Sequence, residues 1–284
     1  MAKKRTASTS PSTPVGKTLV TMLLDRSGSM GSMRQQTIDA INGYLAELRG
    51  STASIHCTLI QFDAPEHGAM ELRKVFVARP IGEVADLVLA DFEPRGMTPL
   101  LDAVAQTIAA VAESIQGKPH VKPVVVIQTD GHENASRESN WTSVRALVEA
   151  KTQEGWQFVF MGAGLESDAY GQAARMGFGE EATVSYGKDA AATRSVFEST
   201  ANNIKAYAEG LSMGTSYQAS QKHAAGDHAV AAPARPARPV PGVQVGVWPI
   251  QVGIPPVAVA SPALPPRFTL DWDGADKEGD RDVG

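Results

Sequence analysis

Five oxygen-bearing side chains in three separate segments form the most informative pattern in this sequence of 284 residues, and they are Asp25, Ser27, Ser29, Thr98 and Asp130. Carboxylates and hydroxyls are hard donors, which suit Mg²⁺ or Mn²⁺ and disfavour zinc and copper. Because only two of these side chains carry charge, a bound ion would keep coordination positions for water or an incoming carboxylate. Ca²⁺ fits less well, since a calcium cage supplies more negative charge.

The segments that carry these side chains are predicted to end strands or to begin a helix. An apolar run at 17–24 ends in Asp25, and a nearly continuous apolar run at 121–128 leads into Asp130. Thr98 stands near the N-cap of a helix that we predict at 98–115. In a doubly wound sheet, ligand sites collect outside the carboxyl ends of the strands. We therefore expect all three segments to face one crevice.

The remaining pattern alternates strands with helices. The short, turn-rich segment 63–68 between strands at 54–62 and 70–77 predicts a hairpin. Further strands are predicted at 156–161 and 182–186, and further helices at 33–49, 141–152, 169–176 and 189–209. Such alternation, with several uniformly apolar strands, indicates an α/β protein whose parallel sheet is covered on both faces.

Three elements resemble the metal-ion-dependent adhesion site (MIDAS) of von Willebrand factor A (vWA) domains. They are the Asp25-x-Ser27-x-Ser29 loop, the threonine 73 residues after Asp25 and the aspartate 105 residues after Asp25. The resemblance covers residues 17 to about 210. It implies a Rossmann-like, doubly wound, mostly parallel six-stranded sheet with one antiparallel edge strand and helices on both faces. It also implies Ser27, Ser29 and Thr98 as direct or near-direct ligands, with Asp25 and Asp130 acting through water. The continuation from Gly131 to Asn134 is similar to small bacterial and phage-encoded members.

Each of these residues has a simpler interpretation. Asp25 and Asp130 could cap loops, and the two serines could be turn residues. Four further residues are candidates for a partner-binding rim around the metal, with solvated loop or turn residues as the alternative; they are Arg26, Asp63, His67 and His132.

Composition divides the chain into three zones. Residues 1–16 are predicted to be a disordered basic arm, residues 17–212 to be the domain, and residues 213–284 to be a Pro-rich tail with an acidic C-terminus. Ten of the 18 prolines lie in this tail. Prolines interrupt its long uncharged stretch and forbid a continuous membrane-spanning helix.

Charge and cysteine content exclude several classes of protein. The net charge of −5 argues against nucleic acid as the main partner. The single Cys57 excludes a disulfide framework and a Cys-based zinc site. No apolar run reaches about 18 residues, and the N-terminus lacks a secretory pattern. We therefore expect a cytoplasmic protein that does not bind membranes.

These observations favour a divalent-metal-dependent protein-binding module, in which a partner's Asp or Glu completes the metal shell. An AAA-type ATPase is a partner class suggested by bacterial relatives. One alternative is a structural or assembly component, including a phage particle component, that interacts through its Pro-rich tail. A metal-assisted hydrolase is favoured least, because a phosphohydrolase with Asp25 as nucleophile would need a second carboxylate where Ser27 stands. We therefore predict that the chain is not an enzyme.

Overall fold

A computed structural model of the chain describes residues 16–66, 68–165, 167–228 and 269–270. The predicted basic arm and most of the predicted Pro-rich tail lie outside the described residues.

Six strands form a single sheet in the order β3-β2-β1-β4-β5-β6. All neighbours are parallel except β2 and β3, which are antiparallel and place β3 at one edge. The strands are β1 Lys17–Asp25, β2 Ile55–Asp63, β3 Glu71–Pro80, β4 Val121–Thr129, β5 Gln157–Ala163 and β6 Thr183–Tyr186. This architecture confirms the predicted Rossmann-like sheet with one antiparallel edge strand. The strand order reverses between β1 and β4, at the centre of the sheet.

Helices cover both faces of the sheet. On one face lie α1 Arg34–Arg49 and α5 Ala190–Ala208, and on the other lie α2 Leu100–Ser114, α3 Trp141–Gln153 and α4 Ser167–Arg175. Four short 3-10 helices span Gly28–Met33, Ile81–Glu83, Leu89–Asp91 and Glu180–Ala182. The first of them connects β1 to α1.

The central strands are largely apolar because both of their faces are buried. In β4, Val124 and Val126 belong to the cluster beneath α1 and α5, whereas Val125 and Ile127 belong to the cluster beneath α2 to α4. Successive side chains of a strand point to opposite faces of the sheet. Because both faces are buried here, apolar residues follow one another along the strand, which explains the nearly continuous apolar run in the sequence.

The packed structure continues beyond residue 212, which was the expected end of the domain. A sixth helix, α6 Ala219–Ala224, follows there. Tyr217 is buried with its hydroxyl 2.5 Å from that of Thr200, and Asp227 accepts a hydrogen bond of 3.0 Å from the backbone N–H of Ser185. The expected boundary therefore falls inside the packed structure, because Tyr217 contacts α5 and Asp227 contacts β6.

Two residues near the C-terminus also lie on the domain. Leu270 is only 4% exposed within the apolar cluster beneath α2, and the carbonyl of Thr269 accepts a hydrogen bond of 3.5 Å from Lys74 of β3. Within the described ranges, no helix has both the length and the apolar content that a bilayer crossing requires.

Candidate metal centre

The candidate site lies at the carboxyl ends of β1 and β4, the two neighbouring strands between which the strand order reverses. Asp25 is the last residue of β1, and Thr129 is the last residue of β4, directly before Asp130. The parallel register pairs Leu24 with Gln128, so both strands end at the same level. This placement agrees with the general position of ligand sites in doubly wound sheets.

The loop after β1 turns its polar side chains toward the end of β4. The backbone N–H of Ser27 donates a hydrogen bond of 2.7 Å to Oδ1 of Asp25, which closes the turn. The hydroxyl oxygens of Ser27 and Ser29 lie 3.1 Å apart, and the Ser29 hydroxyl donates a 2.6 Å hydrogen bond to Oδ1 of Asp130. One short loop thus joins both carboxylates of the set.

Thr98 completes the cluster from the segment before α2. A methyl group placed on Gly131 would lie 2.9 Å from Oγ1 of Thr98 and 3.7 Å from Oδ2 of Asp25. The Thr98 hydroxyl and the Asp25 carboxylate therefore converge on the space beside this glycine. Gly96 permits the approach, since it has φ +67° and a methyl group there would lie 2.2 Å from the carbonyl oxygen of Ala64. The structure brings all five predicted oxygen donors together.

Thr98 lies one residue before the N-cap of α2 and does not cap the helix itself. Pro99 occupies the N-cap position without a side-chain cap, and the backbone N–H of Leu101 is capped instead by a 2.9 Å hydrogen bond to Glu133. The loop after β4 therefore satisfies the helix N-terminus, and the backbone of Thr98 is held by Asn134 through hydrogen bonds of 2.9 and 3.1 Å. The Thr98 hydroxyl is left available for the site.

Burial opposes the charge of Asp25. The side chain is inaccessible, and this burial raises the pKa of Asp25 to about 6, from an ordinary value of 3.8. Hydrogen bonds from Thr129 and Ser27 act in the opposite direction, and the nearby charge of Asp130 adds to the rise. The Thr129 hydroxyl donates to Oδ2 of Asp25 at 2.6 Å. A cation beside these oxygens would offset the cost of burying two carboxylates.

Arg26 and Asp63 do not form a partner-binding rim. Their side chains are 6% and 0% exposed, and Nη2 of Arg26 donates a 2.6 Å hydrogen bond to Oδ1 of Asp63. Nε of Arg95 donates to Oδ2 of Asp63 at 2.8 Å, and Arg95 also pairs with Glu71. Neither the rim nor the solvated-turn interpretation holds for Arg26 and Asp63, because the segment carrying Arg95 folds over them.

This ion-pair network holds the loops of the site together. The backbone N–H of Arg95 donates a 2.7 Å hydrogen bond to the carbonyl of Arg26, and the N–H of Gly28 donates at 3.0 Å to the carbonyl of Gly96. The loop after β1 and the turn before α2 are thus joined by backbone and side-chain contacts. Through Arg26 and Arg95, Asp63 helps to hold together the two loops that carry the candidate donors.

The other two rim candidates lie apart from this network. His132 is an exposed loop residue whose Nε2 lies 3.7 Å from Oδ2 of Asp168, so a role in partner contact stays a prediction. His67 lies outside the described residues.

Sequence patterns do not indicate one charged residue that the structure places at the site. Nζ of Lys188, in the loop between β6 and α5, donates a 2.8 Å hydrogen bond to Oδ2 of Asp130. The two residues are 58 positions apart, and no local pattern distinguishes this lysine from a solvated one. Within the described part of the chain, no three His, Cys, Asp or Glu side chains gather as a metal site.

The family model for the von Willebrand factor type A domain matches residues 20–199, which include all five oxygen donors. This chain belongs to that family. The match extends from β1 into α5, so the vWA domain comprises the sheet and the helices that cover it.

A pilus adhesin of known structure shares its fold with this chain at low sequence identity. The pilus adhesin SpaC from Lactobacillus rhamnosus GG is 12% identical with a TM-score of 0.54, covering 68% of this chain and 31% of the adhesin. Proximal thread matrix protein 1 from the mussel byssus, in a structure with a zinc-occupied MIDAS motif, is 14% identical with a TM-score of 0.46 over 67% of this chain and 46% of that one. This chain thus spans less than half the length of these relatives. No curated protein sequence matches it.

Proposed function

We propose that this vWA domain is a divalent-metal-dependent protein-binding module, in which an Asp or Glu of a protein partner completes the coordination shell of Mg²⁺ or Mn²⁺. The observation that carries the proposal is the convergence of two carboxylates and three hydroxyls from three distant segments. In this proposal, Ser27, Ser29 and Thr98 hold the ion directly or nearly so, and Asp25 and Asp130 act through water.

The donor set fits a hard divalent ion. Two carboxylates balance the two positive charges, and three neutral hydroxyls add oxygen atoms without adding charge. A bound ion would supply an electrophilic centre that accepts a carboxylate oxygen from outside the domain. Gly131 supports this assignment, because its missing side chain leaves room beside Oγ1 of Thr98 and Oδ2 of Asp25.

Binding is favoured over catalysis by the same residues. Ser27 stands where a phosphohydrolase with Asp25 as nucleophile would need its second carboxylate. The net charge of −5 supports a protein partner over nucleic acid. The AAA-type ATPase as partner class and the cytoplasmic location remain predictions.

The alternative function is that of an assembly component that interacts through its Pro-rich tail. Most residues of that tail lie outside the described ranges, so this alternative remains a prediction. A chelator distinguishes the two functions. A partner interaction that EDTA abolishes supports the metal site, whereas one retained by an isolated 229–284 segment supports the tail.

The metal is tested by thermal unfolding of the full chain with and without MgCl₂ or MnCl₂. An ion that binds only the folded state stabilises it by about 2.7 kcal/mol at 100 times its Kd. For a domain of this size, that corresponds to a rise in Tm of roughly 5–10 °C.

Two variants test the site. Asp25→Asn removes one charge of the set, and Gly131→Ala keeps every donor but places a methyl group against the Thr98 hydroxyl. Both should abolish the metal-dependent rise in Tm, while Asp86→Asn, an exposed carboxylate that pairs with Arg49, should retain it. An unchanged metal response in Asp25→Asn would contradict the assignment. Partner capture with Mg²⁺, compared between wild type and Asp25→Asn, then tests whether binding depends on the site.

A further inference from the structure

A lysine ammonium group lies on the proposed metal site. Nζ of Lys188 is 2.8 Å from Oδ2 of Asp130, whose side chain is fully buried, whereas the Lys188 side chain is 41% exposed. The other oxygen of Asp130 accepts the 2.6 Å hydrogen bond from Ser29. Asp130 is therefore engaged by the serine loop on one oxygen and by a cation that reaches in from solvent on the other.

The loop that carries Lys188 is held in place on several sides. Gln36 of α1 donates a 2.5 Å hydrogen bond to the carbonyl of Lys188, and Asp189 caps the first turn of α5 through the N–H groups of Ala191 and Ala192. The backbone N–H of Gly187 donates at 3.1 Å to the carbonyl of Ala225. These contacts fix the backbone from which the lysine extends.

A glycine makes room for the lysine stem. Gly164, just after β5, has φ +62°, and a methyl group there would lie 2.6 Å from Cε of Lys188. Only glycine combines this backbone conformation with space for the stem. The Lys188 stem therefore packs against Gly164 at the end of β5, and this packing directs the ammonium group to Asp130.

We propose that Lys188 is a tethered cation that competes with the divalent metal for Asp130 and so sets the metal affinity of the site. This inference rests on the proposed metal binding. The two carboxylates and the ammonium group together carry a net charge of −1, which a divalent ion would turn into an excess of +1. Because like charges repel, metal binding requires the ammonium group to withdraw from Asp130. Its exposed side chain allows that withdrawal into solvent.

The competition has a signature that a merely structural lysine lacks. Lys188→Met keeps the apolar stem over Gly164 but removes the charge. In the absence of metal, this variant should melt at a lower temperature, because Asp130 and Asp25 lose their neutralising partner. It should nevertheless bind Mn²⁺ about fivefold more tightly than wild type, the upper range for a partly exposed ion pair. A lysine that only ordered its loop, which carries none of the five donors, would leave metal binding equal or weaker when replaced.

The test is calorimetric titration of the full chain with MnCl₂ for wild type, Lys188→Met and the charge-retaining control Lys188→Arg. We expect Lys188→Arg to match wild type and Lys188→Met to bind more tightly; Lys188→Gln replaces the latter if it fails to fold. If wild type binds Mn²⁺ and the neutral variant binds it equally or more weakly, the proposed role of Lys188 is wrong, whereas the metal site stands. Absence of Mn²⁺ binding in all variants overturns the metal site and this inference together. Binding by the neutral variant alone supports a lysine that blocks the site.

Discussion

Replacing Asp63 by Asn should destabilise the domain far more than removing an equally short ion pair at the surface. Asp63 is inaccessible and accepts hydrogen bonds of 2.6 Å from Arg26 and 2.8 Å from Arg95. The Arg26 side chain is 6% exposed, so Asn would leave a buried guanidinium without its carboxylate and would direct an amide N–H group toward arginine donors. Asp63 should therefore behave as one member of a buried charge cluster.

The expected magnitude follows from burial. Breaking a buried ion pair by removing one partner costs about 3–5 kcal/mol. Glu71, whose Oε2 lies 3.5 Å from Nη2 of Arg26, keeps part of the compensation, so we expect the lower end, about 3 kcal/mol. For a domain of roughly 200 residues, this loss lowers Tm by about 6–12 °C.

Asp86→Asn is the matched control. Asp86 pairs with Arg49 at 2.7 Å, but its side chain is 62% exposed. An exposed pair contributes less than about 1 kcal/mol, since solvent screens both charges. Urea unfolding of the two variants and wild type, monitored by circular dichroism, gives both free energies of unfolding. A difference between the variants of less than 1 kcal/mol would refute the conclusion that burial makes the Asp63 network structural.

Two further predictions concern stability and reactivity. A chain ending at residue 212 should unfold at a lower temperature than one ending at residue 228, because Tyr217 and Asp227 are buried against the domain, and equal Tm values would show that the segment contributes nothing. Cys57 should react with a thiol reagent at pH 8 only after unfolding, since it is 3% exposed and burial raises its pKa to about 12; stoichiometric labelling of the folded chain would contradict this.

Local sequence patterns predicted nearly all of the sheet and its helices. The largely apolar strands β1 and β4 were recognisable because strands covered on both faces bury most of their side chains. The helices were recognisable because an apolar stripe recurs with the period of a helix turn. The short, turn-rich segment before β3 predicted the hairpin of β2 and β3, and the resemblance to von Willebrand factor A domains implied an antiparallel edge strand.

Local sequence patterns did not predict that residues 213–228 pack against the domain. Its helix α6 has six residues, too few for a distinct apolar period, and its buried Tyr217 stands alone in a polar stretch. Composition therefore placed this segment with the Pro-rich tail. Its position on the domain comes from tertiary contacts with α5 and β6, which its own composition does not indicate.

The candidate metal donors belong to the part that the sequence could predict. Asp25 ends the apolar strand β1 and Asp130 directly follows β4, so the parallel direction of the strands places both residues at the carboxyl ends of the strands. The burial of Arg26 and Asp63 and the contact between Lys188 and Asp130 were decided by the tertiary structure. Strand ends are set by local backbone preference and burial period, which neighbouring residues encode. Contacts between charges on different loops depend on the strand order and on the path of each loop, and neither leaves a local pattern.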